Sequence, residues 1–342
     1  MHVAILYNEP ILAREHPDYA SEAGVFDSVH ALTESLGSLG HSVAAVSVRA
    51  PASALWESLR AIRADVVVNL VEGFCGESRH EPHVAGCLEL LGIPYTGSPP
   101  ECLVLVHDKV RTKQLLLSSG LPTAPFWRVA PGEDLPREAL QAALRSGPLF
   151  VKPAAEDASL GIDAESVVHE LAAVKSRVEK LHSLYGPVLI ERYLDGREFN
   201  VGVIALPELQ VLPLAEIEFR RDEHHPWPIV TYDSKWATDS LADRATPAVC
   251  PASVEPPLAD RLRRLALDAF LATGCRDYAR VDIRTDAAGE PFILEVNANP
   301  DIGPAAGFAR AVNAFGWTYA DFAGRLIATA AARQRLRRSI DL

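Results

Sequence analysis

Two short runs of alternating residues hold the densest chemistry in the sequence. Tyr278-Ala279-Arg280-Val281-Asp282-Ile283-Arg284 and Pro291-Phe292-Ile293-Leu294-Glu295-Val296-Asn297 flank a turn at 286–290, and both show a strand-like period of two. Folded as a hairpin centred near Ala288, they set Asp282 opposite Glu295 and Arg280 opposite Asn297. Two facing carboxylates repel unless a cation sits between them. Magnesium suits that place, because it takes hard oxygen ligands and is held by one or two carboxylates together with substrate phosphates. The competing reading is a surface hairpin whose polar face is wet; ligand type favours the metal. Val281, Ile283, Leu294 and Val296 are expected to bury the opposite face.

The lysines call for something anionic. Lys152 ends the apolar run Leu149-Phe150-Val151, where a bland surface lysine is not expected. Glu156-Asp157-Ala158-Ser159-Leu160-Gly161 is a short loop whose backbone amides could cradle a phosphate, although it is no Walker sequence. Lys109, in His107-Asp108-Lys109-Val110-Arg111-Thr112-Lys113, reads on its own as a solvated helical charge. Other constellations carry less. His80-Glu81-Pro82-His83 reads as the start of a helix rather than a zinc site. His224-His225 reads as solvated loop, and Cys75 has no base to activate it.

The elements that must position these residues alternate between strand and helix. Strands are expected at 1–7, 42–48, 65–70 and 93–98, with helices around 26–39, 52–62 and 83–91. Asp65-Val66-Val67-Val68-Asn69-Leu70 is a β-branched run of the kind buried on both faces of a parallel sheet. This pattern predicts a doubly wound α/β domain over 1–105. It lacks a G-x-G-x-x-G after the first strand, which disfavours a dinucleotide-binding Rossmann unit. A central unit over 106–194 follows, with helices around 108–119 and 167–184 and strands at 149–152 and 187–192. A third unit, 195–342, holds a strand at 198–204, a helix at 259–273, the hairpin and a last helix around 319–338. The arginines of that helix, Arg333, Arg335, Arg337 and Arg338, read as a solvated helix end.

In order, D-K-x-x-T-K from Asp108, V-K-P from Val151, S-x-G from Ser159, E-R-Y-L-x-G-x-E-F from Glu191, R-x-D from Arg280 and E-x-N from Glu295 resemble the ATP-grasp ligases. Within them the chain looks most like the D-alanine–D-alanine ligases and their relatives, and Pro94–Ser98 and Gly120–Thr123 extend the likeness over about 65–310. The resemblance implies an ATP-grasp fold, an N-terminal doubly wound domain plus two α+β domains clamping the nucleotide. It also implies an ADP-forming ligase that joins amino-acid-like small molecules through an acyl phosphate. ATP and two magnesium ions, replaceable by manganese, would be its cofactors, and a homodimer its assembly. Lys109 and Lys152 match lysines on the ATP phosphates, and Ser159 and Gly161 the mobile loop covering them. Glu191, Arg192 and Leu194 match the segment that meets adenine, and Glu198 the glutamate on the ribose hydroxyls. Asp282, Glu295 and Asn297 match the magnesium ligands. Arg280 matches the arginine that stabilises the transferring phosphoryl group, and Lys235 a loop lysine near the phosphates and second substrate.

Departures fall on the amino-acid pockets. The family's Glu-Ser-Tyr triad is met here by Glu22, Ala158 and Trp236, and neither Ala nor Trp reproduces a hydroxyl link. Ala306 stands about where the family offers a carboxylate-binding serine, and Glu72 where a histidine is usual. ATP chemistry looks intact while the substrate pocket looks altered. A D-alanine–D-alanine ligase of cell-wall synthesis is the alternative; a kinase stopping at phosphoryl transfer and a non-catalytic ATP-binding module are others.

Composition is ordinary for a soluble globular protein. The 342 residues carry 33 Lys and Arg against 45 Asp and Glu, a net charge of −12 that argues against nucleic acid or an anionic membrane as partner. Five cysteines without a C-x-x-C pair read as reduced thiols, and the opening apolar run is too short for a leader, so a cytoplasmic protein is expected.

Overall fold

The computed structural model describes residues 1–12, 19–49, 51–156, 159–220, 227–232, 234 and 241–340. Its first sheet is parallel. β1 (His2–Asn8) lies between β2 (Ser42–Val48) and β3 (Val66–Asn69), and the helices Val25–Ser38 and Ala52–Ala61 make the crossovers. Alternation along the strands splits their side chains between two cores. Val3, Ile5, Val66 and Val68 pack with Leu32 and Leu36 of the first crossover helix, whereas Ala4, Leu6 and Val67 pack with Leu55, Leu59, Val84 and Leu88. The strand expected at 93–98 shrinks to one bridge, Val67 to Tyr95. Pro94 accepts from Val67 N but has no N–H to extend the ladder.

The end of the chain returns to this sheet. Phe308, Val312, Phe322, Leu326 and Ile327, from the helices Gly307–Ala314 and Tyr319–Ile340, fill the same core as Val3 and Ile5. Arg333 is not a solvated helix end. Its guanidinium donates to Asp277 at 2.6 and 3.1 Å and to the Tyr95 carbonyl at 2.9 Å. The last helix is thereby locked to both the first and third sheets. The side chains of Arg335, Arg337 and Arg338 lie outside the described ones.

The central sheet is antiparallel, in the order β4-β7-β5-β6, with β4 Phe126–Val129, β5 Leu149–Pro153, β6 Val167–Val168 and β7 Val188–Arg192. Its outer face buries Leu149, Val151, Val188 and Ile190 against Leu140 of the helix Arg137–Leu144 and Val174, Val178 and Leu181 of the helix Leu171–Tyr185. The helix expected from 167 starts four residues later. Val167 and Val168, both β-branched, pair with Phe150 and Leu149 instead.

The third sheet runs β11-β10-β8-β12-β13, with β9 also on β8: β8 Glu198–Ala205, β9 Leu209–Val211, β10 Ala215–Ile217, β11 Ala248–Val249, β12 Tyr278–Thr285 and β13 Pro291–Asn297. Phe199, Val201, Val281, Ile283 and Ile293 bury its outer face against the helix Pro256–Thr273. Leu116 of the helix Lys109–Ser118, with Leu121 beyond it, packs into this third core rather than the central one. No helix among the described residues is long and apolar enough to cross a membrane.

Candidate active site

The inner faces of the central and third sheets turn toward one cleft, with Arg192, Tyr193 and Leu194 linking the two. Strand alternation decides what enters it. On β12, Arg280, Asp282 and Arg284 face the cleft while Val281 and Ile283 between them are fully buried in the core. On β8 the cleft residues are Glu198 and Asn200, which register opposite Arg284 and Asp282. From the central sheet come Phe150, Lys152 and Glu191.

The hairpin pairs Asp282 with Glu295 and Arg280 with Asn297, the register that alternation predicted. A bulge follows, so that Ile283 pairs with Ile293. This corrects the expected placement of Leu294. Ile293 takes the core position, and Leu294 joins Glu295 in lining the cleft.

Asp282 is the hub. Arg280 grips it with both arms, Nε to Oδ1 at 2.7 Å and Nη2 to Oδ2 at 2.9 Å. Asn200 Nδ2 donates to Oδ1 at 2.7 Å, and Asn297 Nδ2 to Oδ2 at 3.0 Å. Burial alone would lower the Arg280 guanidinium, but Asp282, with Glu295 and Asp301, raises it above its ordinary value. Lys109, nearly buried, donates to the Glu156 carbonyl at 2.5 Å and lies 3.7 Å from Glu295. Asp108 caps its helix by accepting from Val110 N and Arg111 N.

Glu191 is held by two cations. Its Oε1 lies 2.8 Å from Lys152 Nζ and its Oε2 2.8 Å from Lys113 Nζ, all three side chains being almost fully buried. Burial pushes this carboxyl up, yet the two ammoniums outweigh it and bring the pKa down to about 2. Lys113, which also donates to Thr123 Oγ1 at 2.6 Å, is pulled down by burial against the opposing pull of Glu191. Each Glu191 oxygen thus faces a lysine, and its charge organises the cations around it.

Glu198 pairs with Arg284 across the strands, Nη1 to Oε2 at 2.9 Å. Burial raises the Glu198 carboxyl, Asp282 and Glu295 raise it further, and Arg284 opposes them. Ser159 lines the cleft from a left-handed backbone position, φ 62°. Gly161, φ 70°, sits behind it, its carbonyl accepting from Arg177 Nη2 at 2.7 Å. Arg177, only 3% exposed, also holds Asp163 and Ser166, so it anchors the far end of this loop.

The cleft therefore gathers Lys152, Ser159, Glu191, Arg192, Leu194, Glu198, Arg280, Asp282 and Glu295, with Lys109 and Asn297 joined to it through Glu295 and Asp282. Glu22 lies in the short helix Tyr19–Ala23. Its carboxylate accepts from Ile11 N and Leu12 N at 2.8 and 3.0 Å, fastening the turn after β1, and it does not line the cleft. Lys235, Ala158, Trp236 and His224–His225 lie outside the described residues. Sequence reading assigned no role to Lys113, Asn200, Arg177 and Arg284. Lys113 is one helical turn after Lys109, Asn200 two residues after Glu198 and Arg284 two after Asp282, so periodicity alone would have put them on the same faces.

Among the described residues no group of three or more His, Cys, Asp and Glu side chains converges as a metal site. The donor set at the hairpin is instead two carboxylates and one carboxamide, all hard oxygen ligands, which suits magnesium. Asn297 directs its amide nitrogen to Asp282, which leaves its oxygen for a cation. His80 Nδ1 is taken by the Phe74 carbonyl at 2.9 Å, in keeping with a structural histidine.

The family model described as D-ala D-ala ligase C-terminus matches residues 115–328. A D-alanine–D-alanine ligase of Xanthomonas axonopodis pv. citri is 35% identical over 254 residues, covering 72% of each chain. An uncharacterized protein of Sinorhizobium fredii is 38% identical over 269 residues, 78% of this chain and 75% of the relative. The crystal structure of a D-alanine–D-alanine ligase from Bacillus anthracis complexed with ATP superposes over 98% of this chain and 99% of that one, with a TM-score of 0.78 at 20% identity. The three-sheet architecture is thus an ATP-grasp fold, and the chain belongs to the D-alanine–D-alanine ligase family.

Proposed function

We propose that the protein is an ATP-dependent, ADP-forming carboxylate–amine ligase acting on amino-acid-like substrates. The observation that carries this reading is the convergence of Arg280, Asp282 and Glu295 with Lys152 and Glu198 in one cleft of a chain of this family. A module that only bound nucleotide would need no arginine beside the transferring group.

In this reading Lys109 and Lys152 meet the phosphates, Ser159 and Gly161 belong to the loop that covers them, and Glu198 receives the ribose hydroxyls. Adenine meets the backbone between Arg192 and Leu194, while the Glu191 carboxylate holds Lys152 in place. Asp282, Glu295 and Asn297 would hold magnesium or manganese, which when bound neutralises charge on the β- and γ-phosphates. Arg280 then has a double task. It fixes Asp282 in the free protein and faces the phosphoryl group and the later tetrahedral oxyanion during reaction. A substrate carboxylate oxygen attacks the γ-phosphorus and ADP leaves. An amine next attacks the acyl carbon, phosphate leaves, and the nitrogen loses its proton to give the amide. Closure over the cleft would keep water from the acyl phosphate. We assign the amino-terminal unit to 1–105, the central unit to 106–194 and the metal-bearing unit to 195–342.

The alternative is a D-alanine–D-alanine ligase proper, favoured by the 35% identity to a relative of that name. ADP release with magnesium and ATP, measured across D- and L-amino acids singly and in pairs with mass analysis of products, separates the readings. D-alanine alone giving its dipeptide establishes the alternative. A dipeptide from another pair establishes a ligase with an altered pocket. ADP with a phosphorylated product and no amide would refute the ligase reading in favour of a kinase.

A further inference from the structure

Arg284 lines the cleft beside Glu198. It lies directly opposite Glu198 in the β8–β12 register, and its Nη1 donates to Glu198 Oε2 at 2.9 Å. Two aromatic rings pack on the guanidinium, its carbon lying 5.2 Å from the Tyr193 ring centre and 5.0 Å from that of Phe219. Its Nη2 reaches the Tyr193 hydroxyl at 3.3 Å. Arg284 is 4% exposed and Glu198 8%. Such a clamp is more than a buried carboxylate needs for neutralisation alone. Only Oε2 of Glu198 is engaged among the described residues, and the side chain lines the cleft.

We propose that Arg284 is a positioning residue for the sugar of the nucleotide, gripping one Glu198 oxygen so that the other is left to accept from the ribose hydroxyls. This rests on the nucleotide reading of the cleft given above. Without the grip, Asp282 and Glu295 repel the Glu198 carboxylate, and no partner fixes its rotamer. A hydroxyl pair then finds its acceptor misplaced. Arg284 supplies sugar selectivity through Glu198 without touching the sugar.

The test is equilibrium binding of ATP and of 2′,3′-dideoxy-ATP, with magnesium, to the full chain and to Arg284→Met and Arg284→Lys. The methionine keeps an unbranched stem without the charge, and thermal melting checks that each variant folds. The unaltered protein should prefer ATP over the dideoxy nucleotide by roughly ten- to a hundred-fold, the worth of hydrogen bonds to a charged acceptor. In Arg284→Met that ratio should collapse toward one, because ATP binding weakens while dideoxy-ATP binding holds. Arg284→Lys should keep an intermediate ratio. Equal weakening of both nucleotides in the methionine variant would show a merely structural arginine and overturn the proposal alone. Failure of the unaltered protein to bind either nucleotide would overturn the nucleotide reading, and the proposal with it.

Discussion

Asp282 and Glu295 face each other across β12 and β13, and each already has its own cation: Arg280 on both oxygens of Asp282, and Lys109 3.7 Å from Glu295. The facing pair of negative charges is therefore tolerated in the free protein while its oxygens stay within reach of the cleft. Glu295→Gln removes the charge and keeps the shape. ADP release should fall roughly 100- to 1,000-fold, the scale of losing one preorganised electrostatic contact. The melting temperature should stay near that of the parent, since Glu295 lines the cleft rather than the core. A chelator should likewise silence the unaltered enzyme, and excess magnesium restore it. Near-normal turnover by Glu295→Gln would remove the metal role.

Arg280 offers a separate prediction. Arg280→Lys keeps a positive charge but loses the two-armed hold on Asp282, because an ammonium cannot reproduce the planar fork. The maximal rate should drop about 100-fold or more, with ATP affinity little changed. Steady-state kinetics beside direct nucleotide binding reads the two effects apart. Lost ATP affinity with an unchanged maximal rate would instead mark Arg280 as a ground-state contact.

The hairpin was legible in the sequence because charge and apolarity alternate along both runs, which sets both face and register. The bulge was not, since Phe292-Ile293-Leu294 is apolar throughout and offers no sign of which residue is extra. Val167 and Val168 read as the start of a helix because the edge of β5 that recruits them lies about twenty residues away. Arg333 looks solvated in the sequence for the same kind of reason: its partner, Asp277, comes from another segment of the chain. Periodicity reports faces, and it cannot report partners. Glu22 is matched by family likeness alone; that its carboxylate accepts from backbone groups eleven and ten residues before it is a contact no spacing rule reports.

The lysine–glutamate–lysine cluster predicts a pH-dependent stability. Removing the Glu191 charge leaves Lys113 and Lys152 buried without their anion, so Glu191→Gln should destabilise the fold by about 3–5 kcal/mol at neutral pH. The carboxyl lies well below its ordinary value of 4.5, at about 2, despite the burial that would raise it. Its contribution is therefore fully present above about pH 4.5 and is lost as pH falls through about 2. Urea denaturation of the two proteins should differ most at pH 7 and converge as the pH approaches 2. A constant difference across that range would show that the charge is not what matters.

The last prediction concerns the loop carrying Ser159. Gly161 has φ 70°, and a Cβ there would sit 2.8 Å from the Tyr185 ring and 2.9 Å from Pro153. Those are closer than real Cβ contacts allow, and the left-handed backbone adds its own cost of about 1–3 kcal/mol for a side-chain-bearing residue. Pro153 closes the strand that carries Lys152, so the strain reaches the cleft directly. Gly161→Ala should move the loop off its seat on Arg177 rather than unfold the domain, because the Gly161 carbonyl is only one of that arginine's partners. ATP affinity should weaken, and protease cleavage near 155–162 should accelerate and no longer be suppressed by nucleotide. Unchanged affinity and an unchanged cleavage pattern would mean that the loop accommodates the methyl group and that its position is not set by Gly161.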